Sequence, residues 1–129
     1  MIISLFDKSV RVCFTNFRDV NENYFLKIIV DNYPQFKIVN YFRPQIQIFS
    51  ISGNMGRIKK SKAQVKIFYT GENTNHPRHL KFKGNCVEDV DFSLGFDYIN
   101  IHNYIRFPNW AKWFFCYNNS KDEIKAIFG

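Results

Sequence analysis

A strand, a helix and a second strand follow one another in the first forty residues, and this order constrains the fold more than anything else in the chain. Val10-Arg11-Val12-Cys13-Phe14 is short and β-branched, as strands are. A polar loop follows. Asn21 or Asp19 can then cap a helix, with Glu22 near the positive end of its dipole. Phe25, Ile28, Ile29 and Asn32 recur at helical spacing, Tyr24 and Leu26 widen the apolar face, and Pro34 ends it. Phe36-Lys37-Ile38-Val39 is the next strand. Parallel neighbours need such a crossover, so the order predicts an α/β layered domain with a mainly parallel sheet. At 129 residues the chain is about one domain, long enough to bury a core.

The later strands come with shorter connections. Pro44 opens Gln45-Ile46-Gln47-Ile48-Phe49-Ser50-Ile51, where apolar and polar residues largely alternate, and a turn-rich loop over 52–56 ends it. Residues 57–66 carry five basic residues and no acid, so they read either as a solvated connector or as an anion-facing edge. Val65-Lys66-Ile67-Phe68-Tyr69-Thr70 is a fourth strand, ended by Gly71, a residue that tolerates sharp turns. Residues 73–86 read as a long polar and basic loop, residues 90–96 as a fifth strand, and residues 104–107 as a sixth, stopped by Pro108. Trp110, Trp113 and Phe114 mark one face of a helix. Residues 122–128 predict one or two further amphipathic turns.

Composition narrows the partners. The net charge of +7 points to an anionic partner: nucleic acid, a phosphate-bearing ligand or an acidic membrane surface. Fifteen Phe and seven Tyr imply a bulky core or a partner that covers some of them. Cys13, Cys86 and Cys116 are widely spaced, which indicates neither a zinc site nor a disulfide framework and fits a reducing, cytoplasmic setting. The pair His76 and His79 flanks Pro77, which disfavours a helix that would aim both rings one way, so no metal is expected. The N-terminus lacks the pattern of a signal peptide, and no apolar run is long enough to span a membrane. No G-x-G-x-x-G or Walker motif occurs.

Glu72 stands just past the turn that ends the fourth strand. Ligands of open α/β sheets bind beyond the carboxyl ends of the strands, so this lone carboxylate in a basic neighbourhood fits an active-site edge. On the residues alone a solvated loop carboxylate is the favoured reading, since most loop carboxylates are only solvated.

Two blocks of sequence carry a resemblance. Phe68-Tyr69-Thr70-Gly71-Glu72-Asn73 resembles the "FYTGEN" signature of the α-1,3/4-fucosyltransferases of glycosyltransferase family 10, especially the bacterial ones. Asp91-Phe92-Ser93-Leu94-Gly95-Phe96-Asp97-Tyr98, followed by Tyr104-Ile105-Arg106-Phe107-Pro108-Asn109-Trp110, resembles the family segment D-x-x-L-G-F-D-Y … Y-x-R-x-P-x-W. Pro44 to Ser50 is a weaker third match, and matched positions run from about Val10 to Trp113.

The resemblance implies a Rossmann-like three-layer domain, the N-terminal, acceptor-side half of a GT-B glycosyltransferase, over residues 1–129. It implies inverting transfer of fucose from GDP-fucose to a hydroxyl of an N-acetylglucosamine-containing glycan, on protein or lipopolysaccharide. Glu72 would be the catalytic base, with Tyr69, Thr70, Gly71 and Asn73 lining the acceptor cleft. The partners implied are a glycan acceptor, GDP-fucose and a C-terminal donor domain in cis or in trans, with no nucleic acid. The donor is bound mainly by that second domain, which lies outside this sequence, so the isolated half is expected to be inactive. No metal or other cofactor is implied. The full enzyme would sit in the cytoplasm, with a possible peripheral contact to the inner membrane face. The alternatives are a basic nucleic-acid-binding domain using residues 57–66 and 78–83, and a non-catalytic glycan-binding remnant.

Overall fold

The structure, a computed structural model, describes residues 9–40 and 43–107. Six strands form one parallel sheet: β1 (Val10–Thr15), β2 (Phe36–Ile38), β3 (Ile46–Phe49), β4 (Val65–Thr70), β5 (Phe92–Gly95) and β6 (Tyr104–Arg106). Their spatial order is β2-β1-β3-β4-β5-β6. The chain therefore builds outward from β1 in one direction and from β3 in the other. Because every strand is parallel, all six carboxyl ends lie along one edge.

Apolar side chains cover both faces of the sheet. On one face Val12 and Ile48 pack with Ile29 of helix α1 (Asp19–Asn32), flanked by Phe14, Phe36, Ile46 and Ile67. On the other face Phe49 and Phe68 pack with Ile58 of helix α2 (Gly56–Lys60) and with Phe82, Cys86 and Val90. The register sets Ile48 beside Ile67 and Phe49 beside Phe68, so each face is continuous across the sheet. This burial on two sides explains why β4 carries apolar residues at nearly every position. The expected three-layer α/β domain with a parallel sheet is what the structure shows. Among the described residues several aromatics pack on one another: Phe14, Phe17 and Phe25 meet edge to face, and Phe68 stacks on Phe82 with ring centroids 5.8 Å apart.

Three local expectations are corrected. Helix α1 is entered at Arg18, which has an extended backbone and makes no side-chain cap bond, so neither Asn21 nor Asp19 holds the cap position. Its end is as expected: the Tyr33 N–H closes the last turn on Ile29 O, and Pro34 follows. Residues 57–66 are more than a solvated connector, since they contain α2, whose Ile58 is fully buried among aromatics. The stretch over 73–86 includes a 3-10 helical segment, Pro77–Cys86, opened by His76, whose Nδ1 accepts the Arg78 N–H at 3.2 Å. That segment kinks at Gly84 (φ +78°) and Asn85 (φ +55°). The helix expected at 110–114 and the turns expected at 122–128 lie outside the described residues.

Candidate active site

The sheet reverses its direction of growth between β1 and β3. Loops that leave such a switch point diverge and open a crevice at the carboxyl edge. The two strand ends are tied together there: Ser50 N–H donates to Thr15 O at 3.1 Å, and Ser52 N–H to Asn16 O at 2.8 Å. Asn16 adopts φ +62° and accepts from Arg57 at 3.3 Å while donating to Asn54 O at 3.1 Å. Gly53 leaves room for it, since a Cβ at 53 would stand 2.1 Å from Asn16 Oδ1.

Beside this joint lies a cleft of about 320 Å³. It is lined by Arg18, at the entry of α1, and by Ser50, Ile51 and Ser52, after β3. Thr70, Gly71 and Glu72, at the end of β4, and Arg78 and His79, from the 3-10 segment, complete the lining. Among its described lining residues Glu72 is the single carboxylate, set among two guanidinium groups and an imidazole. Glu72 is exposed, and its backbone N–H is fixed by Thr70 Oγ1 at 3.0 Å. Its side chain makes no hydrogen bond or ion pair among the described residues, so it is available to a ligand. A carboxylate with free lone pairs can accept a proton, and guanidinium groups can hold anionic or hydroxyl oxygens.

Larger hollows lie elsewhere, among them ones of about 490 and 510 Å³ lined by Asp97 and by Glu88 with Asp89. Another of about 520 Å³ is bounded by Thr15, Gln47, Arg57, Lys60 and Ser61. A further one of about 430 Å³ is bounded by Arg11, Arg43 and Lys62. The hollows of about 520 and 430 Å³ offer cations and amides but neither a carboxylate nor a histidine, so volume does not decide where proton transfer could occur. No cluster of three or more His, Cys, Asp or Glu able to hold a metal occurs among the described residues.

The expected site residues therefore divide. Glu72, Thr70 and Gly71 share the cleft. Tyr69 does not line it: its side chain is fully buried on the α1 face, with its ring 4.9 Å from that of Phe25. The cause is strand alternation, which turns Tyr69 to the face opposite Thr70 and Phe68. Asn73 lies on the neighbouring hollow beside Asp97 and Tyr98, where its side chain accepts the Asn75 N–H at 2.9 Å and turns the loop. Gly71 makes its turn without a positive φ; among the described glycines that conformation belongs to Gly84. Arg18 and His79 join the cleft with no signal in the local sequence. Their approach depends on how α1 and the 3-10 segment end over the sheet.

The model of the α-(1,3)-fucosyltransferase FucT N-terminal domain matches residues 12–113. The chain belongs to this family. Both sequence blocks of the fucosyltransferase resemblance fall within the matched span, and the fold brings them together: β4 pairs with β5, setting Thr70 opposite Gly95. Among solved structures, a crystal structure of alpha1,3-fucosyltransferase aligns with a TM-score of 0.49 at 18% identity, covering 81% of this chain and 29% of that one. This FucT N-terminal domain thus spans less than a third of that fucosyltransferase. No curated protein matches the sequence.

Proposed function

We propose that this chain is the acceptor-side half of an inverting α-1,3/4-fucosyltransferase of the GT-B arrangement, with Glu72 as its base. The observation that carries the reading is the position of Glu72: the family's FYTGEN segment sets its single acid at the rim of a cleft beyond the sheet's carboxyl edge. In the reaction the acceptor hydroxyl oxygen attacks the anomeric carbon of GDP-β-L-fucose. Its proton passes to the Glu72 carboxylate, the bond to the diphosphate oxygen breaks, and GDP leaves with the electron pair. The displacement inverts the anomeric centre. An exposed carboxylate at the open edge of this half suits a cleft that a second domain closes. Arg18 and Arg78 offer donors to the acceptor's hydroxyl oxygens, and the partner domain supplies most of the GDP contacts. The acceptor is a glycan containing N-acetylglucosamine.

The test is steady-state kinetics on the complete enzyme that contains this chain. Glu72→Gln keeps the side chain's shape and removes the base, so kcat falls by about 10²–10⁴-fold, the usual worth of a general base, while donor affinity holds. Glu72→Asp withdraws the carboxylate by about 1 Å and costs on the order of 100-fold. Glu88→Gln, exposed and outside the cleft, leaves kcat in place. A Glu72→Gln enzyme with near-normal kcat removes the assignment.

A further inference from the structure

The loop that carries Glu72 is exposed at Glu72, Asn73 and Asn75, yet Thr74 between them is fully buried. Its partner is Asp97, just beyond β5. Asp97 Oδ2 accepts the Thr74 hydroxyl at 2.5 Å, the Thr74 N–H at 3.3 Å and the Asn85 amide at 2.7 Å. The same Asn85 amide lies 3.4 Å from Thr74 Oγ1. Each of these groups is in turn held. Tyr104 donates its hydroxyl to Asp97 O at 2.7 Å, and Ser93 donates to Asn85 O at 2.6 Å. Gly95 supplies the space, because a Cβ there would collide with Asn85 Oδ1.

Burying three donors and a carboxylate oxygen in so small a volume is costly unless each finds a partner, and together they leave the acceptor one low-energy arrangement. The lock therefore fixes the backbone at Thr74, two residues beyond Glu72. Thr70, two residues before Glu72, is buried in β4 and fixes its N–H. We infer that Asp97 and Thr74 are positioning residues for Glu72: they clamp the far side of its loop so that its carboxylate meets the acceptor hydroxyl in register. This inference rests on the reading of Glu72 as the base. It predicts a loss specific to that base, where a merely structural lock would weaken every function alike.

The experiment is a double-mutant cycle in the complete enzyme. Thr74→Val keeps the branched shape and deletes the hydroxyl donor; kcat falls by about 10–100-fold, since a displacement near 1 Å is worth about 100-fold, while the donor KM holds. Thr74→Ser restores the donor and most of the rate. In a Glu72→Gln background Thr74→Val produces no further fall, because the group it positions is already gone. Equal fractional losses with and without Glu72 overturn the inference and leave the lock as a stability element. Should Thr74→Val fail to fold, Asp97→Asn, which keeps the acceptor's shape and removes its charge, takes its place in the cycle. A silent Glu72→Gln single variant overturns the base assignment itself, and this inference with it; full loss in that variant with an additive cycle overturns the inference alone.

Discussion

A Cβ at position 95 would lie 2.1 Å from Asn85 Oδ1 and 2.8 Å from the Tyr104 hydroxyl oxygen. Neither side chain can retreat easily, since both residues are buried, the Tyr104 hydroxyl is held by Asp97 O, and the Asn85 amide nitrogen and backbone carbonyl are held by Asp97 and Ser93. Gly95→Ala is therefore expected to lower unfolding free energy by about 1–3 kcal/mol, the usual cost of overpacking a filled core, measured by urea denaturation. Gly56→Ala meets only the end of the exposed Asn54 side chain at 3.1 Å and should cost less. The Tyr104 phenol in the same place is pushed up to about 12, first by burial and then by the Asp97 charge, against the opposing Arg106. Burial, helped by Asp89, also pushes the Cys86 thiol up to about 12. Both folded values lie above the ordinary ones, so in alkali the unfolded chain releases protons that the folded chain keeps. The stability from Tyr104 is complete below about pH 10 and is lost as pH rises through 12; that from Cys86 begins to fall near pH 9. Urea midpoints across this range should decline, and Tyr104→Phe should flatten the upper part. A Tyr104→Phe profile parallel to the parent's would contradict the shift.

At the scale of an element, α2 separates a charge pattern from a packing role. Four of its residues are Gly, Arg, Lys and Lys, and the fifth, Ile58, is fully buried against Phe49, Phe68 and Phe82. Helix α2 is a crossover from β3 to β4, held by one apolar side chain whose neighbours keep their cations in water. Ile58→Ala should cost about 2–5 kcal/mol, as truncation of a buried aliphatic residue does. Lys60→Ala, on the exposed side, should stay within about 0.5 kcal/mol. Denaturation of the two variants in parallel measures this, and equal, small effects would return the segment to a solvated connector. A helix of five residues offers too few turns for periodicity to show, so the basic run masked it in the sequence.

For the whole molecule, the parallel sheet provides one functional edge, and the Glu72 cleft opens on it. If the donor domain supplies the GDP contacts, this chain alone should neither turn over GDP-fucose nor bind GDP in the micromolar range. Calorimetry with both ligands is the measurement. Micromolar donor binding would mean that the basic hollows beside Arg57 and Arg43 serve the nucleotide, and the acceptor and donor sides of the enzyme would have to be exchanged.

The sequence by itself determined the local elements and the family. Alternation in β4, the helical spacing of Phe25, Ile28 and Ile29, and the stop at Pro34 are properties of neighbours along the chain, so β1, α1 and β4 were legible within a residue or two. The parallel sheet followed from their order. The family followed from a run of residue types. Tertiary structure alone decided which side chains meet. Strand alternation buried Tyr69 against Phe25 while its neighbour Thr70 reached the cleft. Arg18 and His79 arrive at one carboxylate from distant elements, and Thr74, Asn85 and Asp97 converge because β4 pairs with β5. Such contacts depend on register and on crossover direction, and no window of sequence contains either.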